Sequence, residues 1–338
     1  MKESIDLNNK SILVTGGTGS FGNRFVQHVL KHFSPKRLVI FSRDEAKQYE
    51  MAARLPPARY ECLRYFIGDV RDVERLRTAM KGIEIVVHTA ALKHVPIAEY
   101  NPFECISTNI QGTENVIRAA LHCGVHKVLG LSTDKAVAPI NLYGATKLAA
   151  EKLLVAANNL AGESGPRFSV ARYGNVIGSR GSVVPYFREL IAKGAVRLPI
   201  TDPEMTRFWI TLPAGVAFVL SSLRVMHGGE IFVPKLQAVK VTDLARAMAP
   251  QLPHDIVGIR PGEKIHETLI SSDETRSTLE LEDRYFIEPP LTLWHDLNPE
   301  KIVGKRVSQS FKYVSSEESL LMPQQKICAM LDEGGAET

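Results

Sequence analysis

The stretch that decides the fold of this chain is Thr15-Gly16-Gly17-Thr18-Gly19-Ser20-Phe21-Gly22. It follows an apolar run, Ser11–Thr15, and precedes a segment with helical periodicity that extends to about His32. The turn must be tight, its backbone must approach a phosphate, and the helix must pack closely on the strand. Each requirement favours a residue without a Cβ. The Gly-x-x-Gly-x-x-Gly spacing in this strand–turn–helix context therefore predicts that a dinucleotide's pyrophosphate binds at the start of the helix.

Short β-branched strands alternate with helices beyond this stretch. Further strands are predicted at Arg37–Phe41, Leu63–Ile67, Glu84–His88, Lys127–Leu131 and Phe168–Arg172, and helices at about 44–54, 102–123 and 142–159. Such alternation produces a parallel sheet with helices on both faces. We therefore expect an α/β fold with a doubly wound parallel sheet in residues 1–174. Residues 175–330, with shorter elements such as 184–192 and 231–233, are expected to form mainly a smaller C-terminal substrate-binding lobe, some segments returning to the first domain.

The composition excludes several classes of protein. A hydrophobic fraction of 44% and a charged fraction of 23% are typical of a globular protein. The net charge of +4, without a run of basic and aromatic residues, does not indicate nucleic-acid binding. The four scattered cysteines predict neither a metal site nor disulfides. A polar N-terminus and the lack of a long apolar run predict no signal peptide and no membrane span, so the cytoplasm is the expected location.

The residues after the second strand indicate which dinucleotide binds. An NAD site usually has an acidic residue there, whereas this chain has Ser42-Arg43, with Lys47 one helical turn later. A hydroxyl and a guanidinium suit a 2′-phosphate, so NADP is the predicted cofactor, although Arg43 could instead be a solvated surface charge. Asp44 is expected to cap the next helix. Asp69, after the third strand, is placed to meet the adenine but could equally cap the helix that follows it.

A Tyr-x-x-x-Lys pair, Tyr143 and Lys147, lies on the helix after the fifth strand. The spacing puts both side chains on one helix face, about 5–6 Å apart at Cβ. We expect the ammonium to lower the pKa of the phenol, so that Tyr143 exchanges a proton with a substrate hydroxyl near neutral pH. Thr133-Asp134-Lys135 ends the preceding strand at the same edge. Taken alone, Asp134-Lys135 could equally be a turn pair that caps the strand.

Several longer motifs, in chain order, resemble one enzyme family. They are Phe41-Ser42-Arg43-Asp44-Glu45, Ala90-Ala91-Leu92-Lys93-His94-Val95-Pro96, Ser132-Thr133-Asp134-Lys135-Ala136-Val137, Asn141-Leu142-Tyr143-Gly144-Ala145-Thr146-Lys147, Arg172-Tyr173-Gly174-Asn175-Val176 and Arg260-Pro261-Gly262-Glu263-Lys264-Ile265-His266-Glu267. With the glycine stretch they resemble the inverting UDP-N-acetylglucosamine 4,6-dehydratases, extended short-chain dehydrogenases with a Rossmann domain that begin pseudaminic-acid synthesis. The resemblance covers most of the chain and thins after about Thr278. It implies UDP-N-acetylglucosamine as the substrate and a homo-oligomer, either a dimer or a larger assembly such as a hexamer.

The resemblance implies a reaction without net redox change. Tyr143 would deprotonate the C4 hydroxyl while a hydride passes from C4 to NADP⁺. C5 would then lose a proton, the C6 hydroxyl would leave as water, and the hydride would return to C6. Reprotonation of C5 on the opposite face would give an inverted 4-keto-6-deoxy sugar. Thr133, or alternatively Ser132, is expected to orient the C4 oxygen, and Asp134 and Lys135 are expected to supply the acid and the base.

Lys135 separates this family from its C5-retaining relatives, which have a glutamate after the aspartate. A lysine base must be neutral. Cationic neighbours would lower the pKa of Lys135 and Asp134 would raise it, so the balance stays open at this point.

The other expected contacts follow the strand ends and the motifs. For the cofactor they are Thr15, Gly16, Gly19, Ser20, Phe21, Gly22, Ser42, Arg43, Lys47, Asp69, Val70, Ala90, Ala91, Tyr143 and Lys147, and for the sugar nucleotide Lys93, Asn175, Val183, Arg207, Arg260 and Glu263. Arg207 and Arg260 offer forked donors suited to a pyrophosphate, and Glu263 could hold ribose hydroxyls. His88 and His94 are expected to be structural.

Three other functions remain open. A UDP-hexose 4-epimerase shares the Tyr–Lys oxidation but needs no acid–base pair for C5 and C6. A C5-retaining 4,6-dehydratase belongs to the same superfamily, and many of those carry membrane helices. A non-catalytic NADP-binding regulator would be expected to have lost Tyr143 or Lys147.

Overall fold

The computed structural model describes residues 5–179, 181–289 and 304–335. Its strands are β1 Ser11–Thr15, β2 Arg37–Ser42, β3 Leu63–Ile67, β4 Ile85–His88, β5 Lys127–Thr133, β6 Arg167–Tyr173, β7 Asn175–Val176, β8 Leu198–Ile200, β9 Thr206–Ile210, β10 Ile231–Pro234, β11 Gln237–Lys240, β12 His254–Ile256, β13 Thr268–Ile270, β14 Thr278–Glu280, β15 Arg284–Ile287, β16 Lys305–Arg306 and β17 Tyr313–Val314. Its α-helices are α1 Ser20–His32, α2 Glu45–Arg54, α3 Val73–Met80, α4 Val95–Tyr100, α5 Pro102–Ile106, α6 Gly112–Cys123, α7 Leu142–Ala161, α8 Val183–Ala192, α9 Leu212–Val225, α10 Val241–Met248 and α11 Gln324–Gly335.

The large sheet has the parallel order β3-β2-β1-β4-β5-β6-β10, and β15, β14 and β16 extend it antiparallel. β1 pairs with β2 on one side and with β4 on the other, so the strand order reverses at β1. Doubly wound sheets bind ligands outside the carboxyl ends of their strands at such a reversal. The predicted α/β fold is confirmed, and the glycine turn lies at the reversal point.

Helices cover both faces of this sheet, as the apolar strands require. Leu13 packs in a core with residues of α3 and α6, whereas its neighbours Ile12 and Val14 pack with residues of α1 and α9. Because successive strand residues face opposite sides, both sets must be apolar in a strand that is covered twice. This burial fixes β1, and with it the position of the glycine turn.

The structure differs from the sequence-based expectation in two elements. The helix predicted over 102–123 contains a π-helical stretch, Ser107–Gln111, between α5 and α6. Such stretches are rare and occur often at functional sites. The 231–233 run was expected in the second lobe, but as β10 it pairs with β6 and is fully buried in the large sheet. Its apolar composition suits a strand that is covered on both faces.

A smaller lobe is built from β7, β9 and β11, the pair β8–β12 and the pair β13–β17. Its core includes Trp209, Val239 and Leu244, together with residues of α8, α10 and α11. Within the described ranges, no helix has both the length and the apolarity needed to span a bilayer.

Candidate active site

A cavity of about 1120 Å³ extends from the glycine turn along the carboxyl edge of the large sheet to the loop 260–267 of the smaller lobe. Every residue predicted for the site lines this cavity except Thr15 and Asp134. The large sheet contributes the strand ends, and the smaller lobe contributes β7, β9 and α8. One cavity therefore contains both the expected cofactor residues and the expected sugar residues.

The glycine turn is closely packed. Gly16 has a φ of +64°, and a Cβ there would lie 2.9 Å from Ala90 Cα. A Cβ on Gly22 would lie 2.6 Å from Gly17 Cα, so α1 could not approach the strand. Gly19 precedes α1 without a capping side chain, which suits a helix start that binds a phosphate. This cradle fits the pyrophosphate of a dinucleotide.

Thr15 lies behind the cavity wall. It was expected to contact the cofactor, but it does not line the cavity. Its hydroxyl hydrogen-bonds His88 Nδ1 at 2.8 Å and accepts the N–H of Thr89 at 3.1 Å, so it joins β1 to β4. His88 Nε2 lies 3.1 Å from Thr113 Oγ1, and burial lowers the pKa of this imidazole to about 3. The burial of His88 and its two hydrogen bonds fit the structural role expected for it.

Polar groups surround the end of β2. Ser42 Oγ lies 2.8 Å from Thr18 Oγ1, and Thr18 also lines the cavity, although it was not predicted as a site residue. The half-exposed Arg43 approaches Asp69 with 3.7 Å between Nη1 and Oδ2. Asp44 caps α2 as predicted, accepting the N–H of Lys47 at 3.0 Å.

Asp69 does not cap the helix that follows it. That position belongs to Asp72, which accepts the N–H of Arg75 at 2.9 Å. Burial alone would raise the pKa of Asp69, but hydrogen bonds from Arg71 and the charge of Arg43 lower it. The capping alternative is therefore wrong, and Asp69 presents a carboxylate to the cavity.

Tyr143 and Lys147 are both buried at the cavity wall on α7. Lys147 Nζ donates to the carbonyl of Leu131 at 2.6 Å, and burial lowers its pKa to about 8. Burial raises the pKa of Tyr143 to about 12, and the cation that partly opposes this rise is Lys135. The expectation that Lys147 lowers the pKa of the phenol is therefore wrong for the protein itself, because desolvation outweighs the neighbouring charge.

Asp134 and Lys135 begin a short 3₁₀ turn directly after β5. Asp134 is fully buried, and its Oδ1 accepts from Thr133 Oγ1 at 2.9 Å and from Lys135 Nζ at 3.1 Å. Lys135 Nζ also donates to Asn175 Oδ1 at 3.0 Å. Asp134 thus lies behind Thr133 and Lys135, which both line the cavity.

Glu267 also lines the cavity and was not predicted as a site residue. Its Oε1 lies 3.3 Å from Lys135 Nζ, so this ammonium contacts two buried carboxylates. Burial alone would lower the pKa of Lys135, but Asp134 and Glu267 outweigh it and raise the pKa above the ordinary lysine value. The only available sequence signal was that Glu267 ends the motif that begins at Arg260.

Most of the residues expected to bind the sugar nucleotide belong to the smaller lobe. Arg207 Nη1 and Nη2 donate to the carbonyls of Ile265 and Lys264 at 3.0 and 2.8 Å, so its fork supports the 264–265 loop. This contact differs from the expected free fork, because the buried guanidinium must satisfy its donors locally. Arg260 is exposed beside Glu263, with 3.8 Å between Nη1 and Oε1. The other expected contacts, Lys93, Asn175 and Val183, also line the cavity.

Known structures share this architecture. Pen from Bacillus thuringiensis matches with a TM-score of 0.88 and 35% identity over 98% of this chain and 99% of its own. The dTDP-glucose 4,6-dehydratase DesIV from Streptomyces venezuelae, solved with NAD, matches with a TM-score of 0.67 over 75% of this chain and 86% of its own. At 22% identity, the second match bears on the fold alone. The fold and the cavity at the strand ends define a protein of the extended short-chain dehydrogenase type.

Sequence relatives specify the family. The model of the family "Polysaccharide biosynthesis protein" matches residues 12–289. The UDP-N-acetylglucosamine 4,6-dehydratase (inverting) of Campylobacter jejuni is 54% identical over 96% of this chain and 98% of its own. A UDP-glucose 4-epimerase of Rickettsia conorii is 43% identical over 82% of this chain and 83% of its own. The chain belongs to the polysaccharide biosynthesis protein family and, within it, to the inverting UDP-N-acetylglucosamine 4,6-dehydratases.

Proposed function

We propose that this chain is a hydro-lyase that converts UDP-N-acetylglucosamine to the C5-inverted 4-keto-6-deoxy sugar nucleotide with NADP as its cofactor. The observation that carries the proposal is the placement of Lys135 at the cavity wall between Asp134 and Glu267, beside Tyr143. Oxidation at C4 requires the nicotinamide as hydride acceptor and only the tyrosine as a base, whereas elimination across C5 and C6 requires a further acid and base.

The expected cofactor residues support NADP over NAD. Gly16, Gly19 and Gly22 would hold the pyrophosphate at the start of α1, and Asp69 and Val70 would border the adenine. Arg43, which is half exposed and lines the cavity, would pair with the 2′-phosphate, and Ser42 and Lys47 line the same cavity. A bound nicotinamide would supply the hydride acceptor for C4 oxidation and the hydride donor for C6.

Tyr143 would act on the C4 hydroxyl of the sugar, and Lys147 would bind the ribose of the nicotinamide. Tyr143 would accept the C4 proton, and Thr133, which hydrogen-bonds the phenol, would orient the C4 oxygen. Lys147 is fixed by the carbonyl of Leu131 and would hold the nicotinamide ribose. The cationic Lys135 favours the phenolate and thereby assists the proton transfer.

Lys135 would transfer protons at C5 and C6, with Asp134 supporting it from behind the cavity wall. A ketone at C4 acidifies the C5 proton, and Lys135 lines the cavity two residues after the end of β5. Asp134 is buried behind it, so its part would be to hold Thr133 and Lys135 in place and to balance the ammonium charge. This arrangement supports an acid–base role for Lys135 at the sugar.

The substrate would extend from Tyr143 into the smaller lobe. Asn175 already accepts from Lys135, which leaves its amide N–H groups for a sugar or phosphate oxygen. Arg260 would bind the pyrophosphate and Glu263 the uridine ribose. Lys93 and Val183 would border the sugar, and Arg207 would act by shaping the 264–265 loop.

The alternatives fit the same site less well. A 4-epimerase, the activity named for the Rickettsia relative, has no use for a lysine held between two buried carboxylates. A C5-retaining dehydratase would be expected to carry a glutamate where Lys135 stands. A non-catalytic regulator has no need of the buried Tyr143 and Lys147, and both are present.

The test is to incubate the chain with UDP-N-acetylglucosamine and NADP in deuterated water and to follow the product by NMR. We expect loss of the C6 hydroxyl, deuterium at C5 and inverted configuration at C5. A 4-epimer without deuterium at C5 would support the epimerase instead, and retained C5 configuration would support the other class of dehydratase.

Three broader expectations accompany this function. The product would enter pseudaminic-acid synthesis and so the glycosylation of proteins or surface polysaccharides. Self-association is supported by exposed apolar side chains on α4 and α5, namely Ile97, Tyr100 and Phe103. A reducing cytoplasm suits four cysteines that are all free thiols.

A further inference from the structure

Lys135 presents a chemical difficulty that its own sequence neighbours do not resolve. A base must be neutral before it can remove the C5 proton, yet Asp134 and Glu267 raise the pKa of this lysine. Its ammonium also donates to Asn175, so three acceptors favour the protonated form. Either Lys135 is an acid only, or a neighbouring group accepts its proton when the base is needed.

Glu267 is better suited than Asp134 to accept that proton. Asp134 Oδ1 already accepts two hydrogen bonds, and Asp134 does not line the cavity. Glu267 lines the cavity and is only 2% exposed. Among the described residues its Oε2 has no hydrogen-bond partner, which is also true of Asp134 Oδ2, and Lys264 Nζ lies 4.0 Å from Glu267 Oε2. Burial raises the pKa of Glu267, which favours its neutral form.

The backbone of Glu267 is held in place, so the contact with Lys135 does not depend on a mobile loop. Its N–H donates to Ser315 Oγ at 2.9 Å, and its carbonyl accepts the N–H of Ser315 at 2.8 Å. Ser315 Oγ lies in turn 2.7 Å from Thr206 Oγ1 on β9. The smaller lobe thus presents this carboxylate to the turn that follows β5.

We propose that Glu267 is the positioning carboxylate that takes the ammonium proton of Lys135, which leaves a neutral lysine to act as the base at C5. The proposal rests on the proposed dehydratase function. The proton moves from Nζ to a Glu267 oxygen across the 3.3 Å contact, and an ion pair becomes a neutral pair. Lys135 then binds the C5 proton, while the C5–H electrons form the C4–C5 enolate.

The protons of the elimination step balance within the Lys135–Glu267 pair. After C5 is deprotonated, Lys135 is an ammonium again and Glu267 is a carboxylic acid. The C6 hydroxyl leaves as water by taking one proton from the pair, which restores the ammonium and the carboxylate. No external acid or base is consumed in the elimination.

The charged groups that act on Glu267 predict the pH profile. The groups that act on Glu267 are Lys135, Asp134, Arg207 and Lys264. Apart from the two carboxylates, the groups near Lys135 include Arg207, Lys93 and Tyr143. Since Glu267 must be ionised to accept the proton, wild-type turnover falls as the pH falls through the pKa of Glu267. Without this carboxylate, Lys135 must lose its proton to solvent, so turnover rises toward alkaline pH.

The test compares Glu267→Gln, Glu267→Asp and a matched Glu204→Gln control. Glu204 is an exposed residue of the same lobe, 3.6 Å from Lys240. We expect turnover and C5 deuterium exchange of E267Q to fall by on the order of 100-fold at neutral pH. The decline of wild-type turnover at low pH, the acid limb of the pH profile, should be absent from E267Q. Its affinities for NADP and UDP should be unchanged. E267D should recover the acid limb with part of the rate, and E204Q should match the wild type. A wild-type rate and acid limb in E267Q would overturn the proposal. So would a rate loss that follows only a lowered melting temperature with an unchanged pH profile.

A second measurement does not depend on turnover. Amine labelling of Lys135, followed by peptide mass spectrometry across pH, should begin at lower pH in E267Q, because one counter-charge has been removed. An unchanged labelling curve would refute the Lys135–Glu267 coupling even if the wild type proved inactive on UDP-N-acetylglucosamine. Wild-type inactivity with a shifted labelling curve would instead refute the proposed function alone.

Discussion

Gly144 lies against the carbonyl oxygen of Lys135, so closely that a Cβ at position 144 would come within 2.1 Å of that oxygen. Gly144 follows Tyr143 in the first turn of α7, which Asn141 caps by accepting the N–H of Gly144 at 2.7 Å. The helix that carries the tyrosine is therefore docked directly on the turn that carries the lysine. Their relative position depends on the absence of a single side chain.

This contact predicts that Gly144→Ala damages both stability and catalysis. Overpacking at a well-packed site costs about 1–3 kcal/mol, and displacement of a catalytic group by about 1 Å costs on the order of 100-fold in rate. Denaturant unfolding and steady-state kinetics measure the two effects. Gly215→Ala on α9 is the control, since its Cβ would come no closer than 3.8 Å to Phe21. Equal behaviour of the two variants would contradict the contact argument.

Arg43→Ala should change the choice of dinucleotide. Hydrogen bonds to charged groups contribute about 1.5–3 kcal/mol, so the Kd for NADP should rise about tenfold or more while the Kd for NAD stays nearly constant. Calorimetric titration with both cofactors tests this. Arg59→Ala, which removes a guanidinium 5.4 Å from the Tyr60 ring and outside the cavity lining, should change neither Kd. An equal loss for both dinucleotides would place Arg43 away from the 2′-phosphate.

Lys135→Met should abolish elimination while NADP remains bound. Loss of a positioned acid–base group typically lowers the rate by about 10²–10⁴-fold. Product NMR with a parallel NADP titration gives both readouts, and Lys193→Met, at an exposed lysine paired with Glu189, controls for the substitution itself. Because Asp134 loses a buried partner, the unfolding free energy should be measured as well. Retained turnover would remove Lys135 from the base role.

Lys147 predicts a pH dependence of stability. Burial lowers its pKa from 10.5 in the unfolded chain to about 8 in the folded protein. Between these values the unfolded chain binds the extra proton, so the folded state becomes more stable as the pH rises from about 8 toward 10.5. The free energy of unfolding of the wild type, relative to that of Lys147→Met, should increase over this range by on the order of 1 kcal/mol or more. A pH-independent difference in chemical denaturation would contradict the lowered pKa.

The sequence by itself determined the elements whose signals are local. The glycine stretch, the alternation of buried strands and helices, and the Asp44 cap depend on residues that are neighbours in the chain, and the structure confirms them. Strand ends at one edge of a parallel sheet come together by topology, which is why nearly every predicted site residue lines one cavity.

Tertiary structure alone decided how the charged groups are used. The sequence left the protonation of Lys135 open, because it did not bring Glu267 of the smaller lobe to the turn after β5. It also did not show that Asp134 lies behind the cavity wall, that the Arg207 guanidinium donates to the 264–265 carbonyls, or that burial raises the pKa of Tyr143. The physical reason is that desolvation and charge pairing depend on packing between distant segments, whereas motif and periodicity report only on adjacent residues.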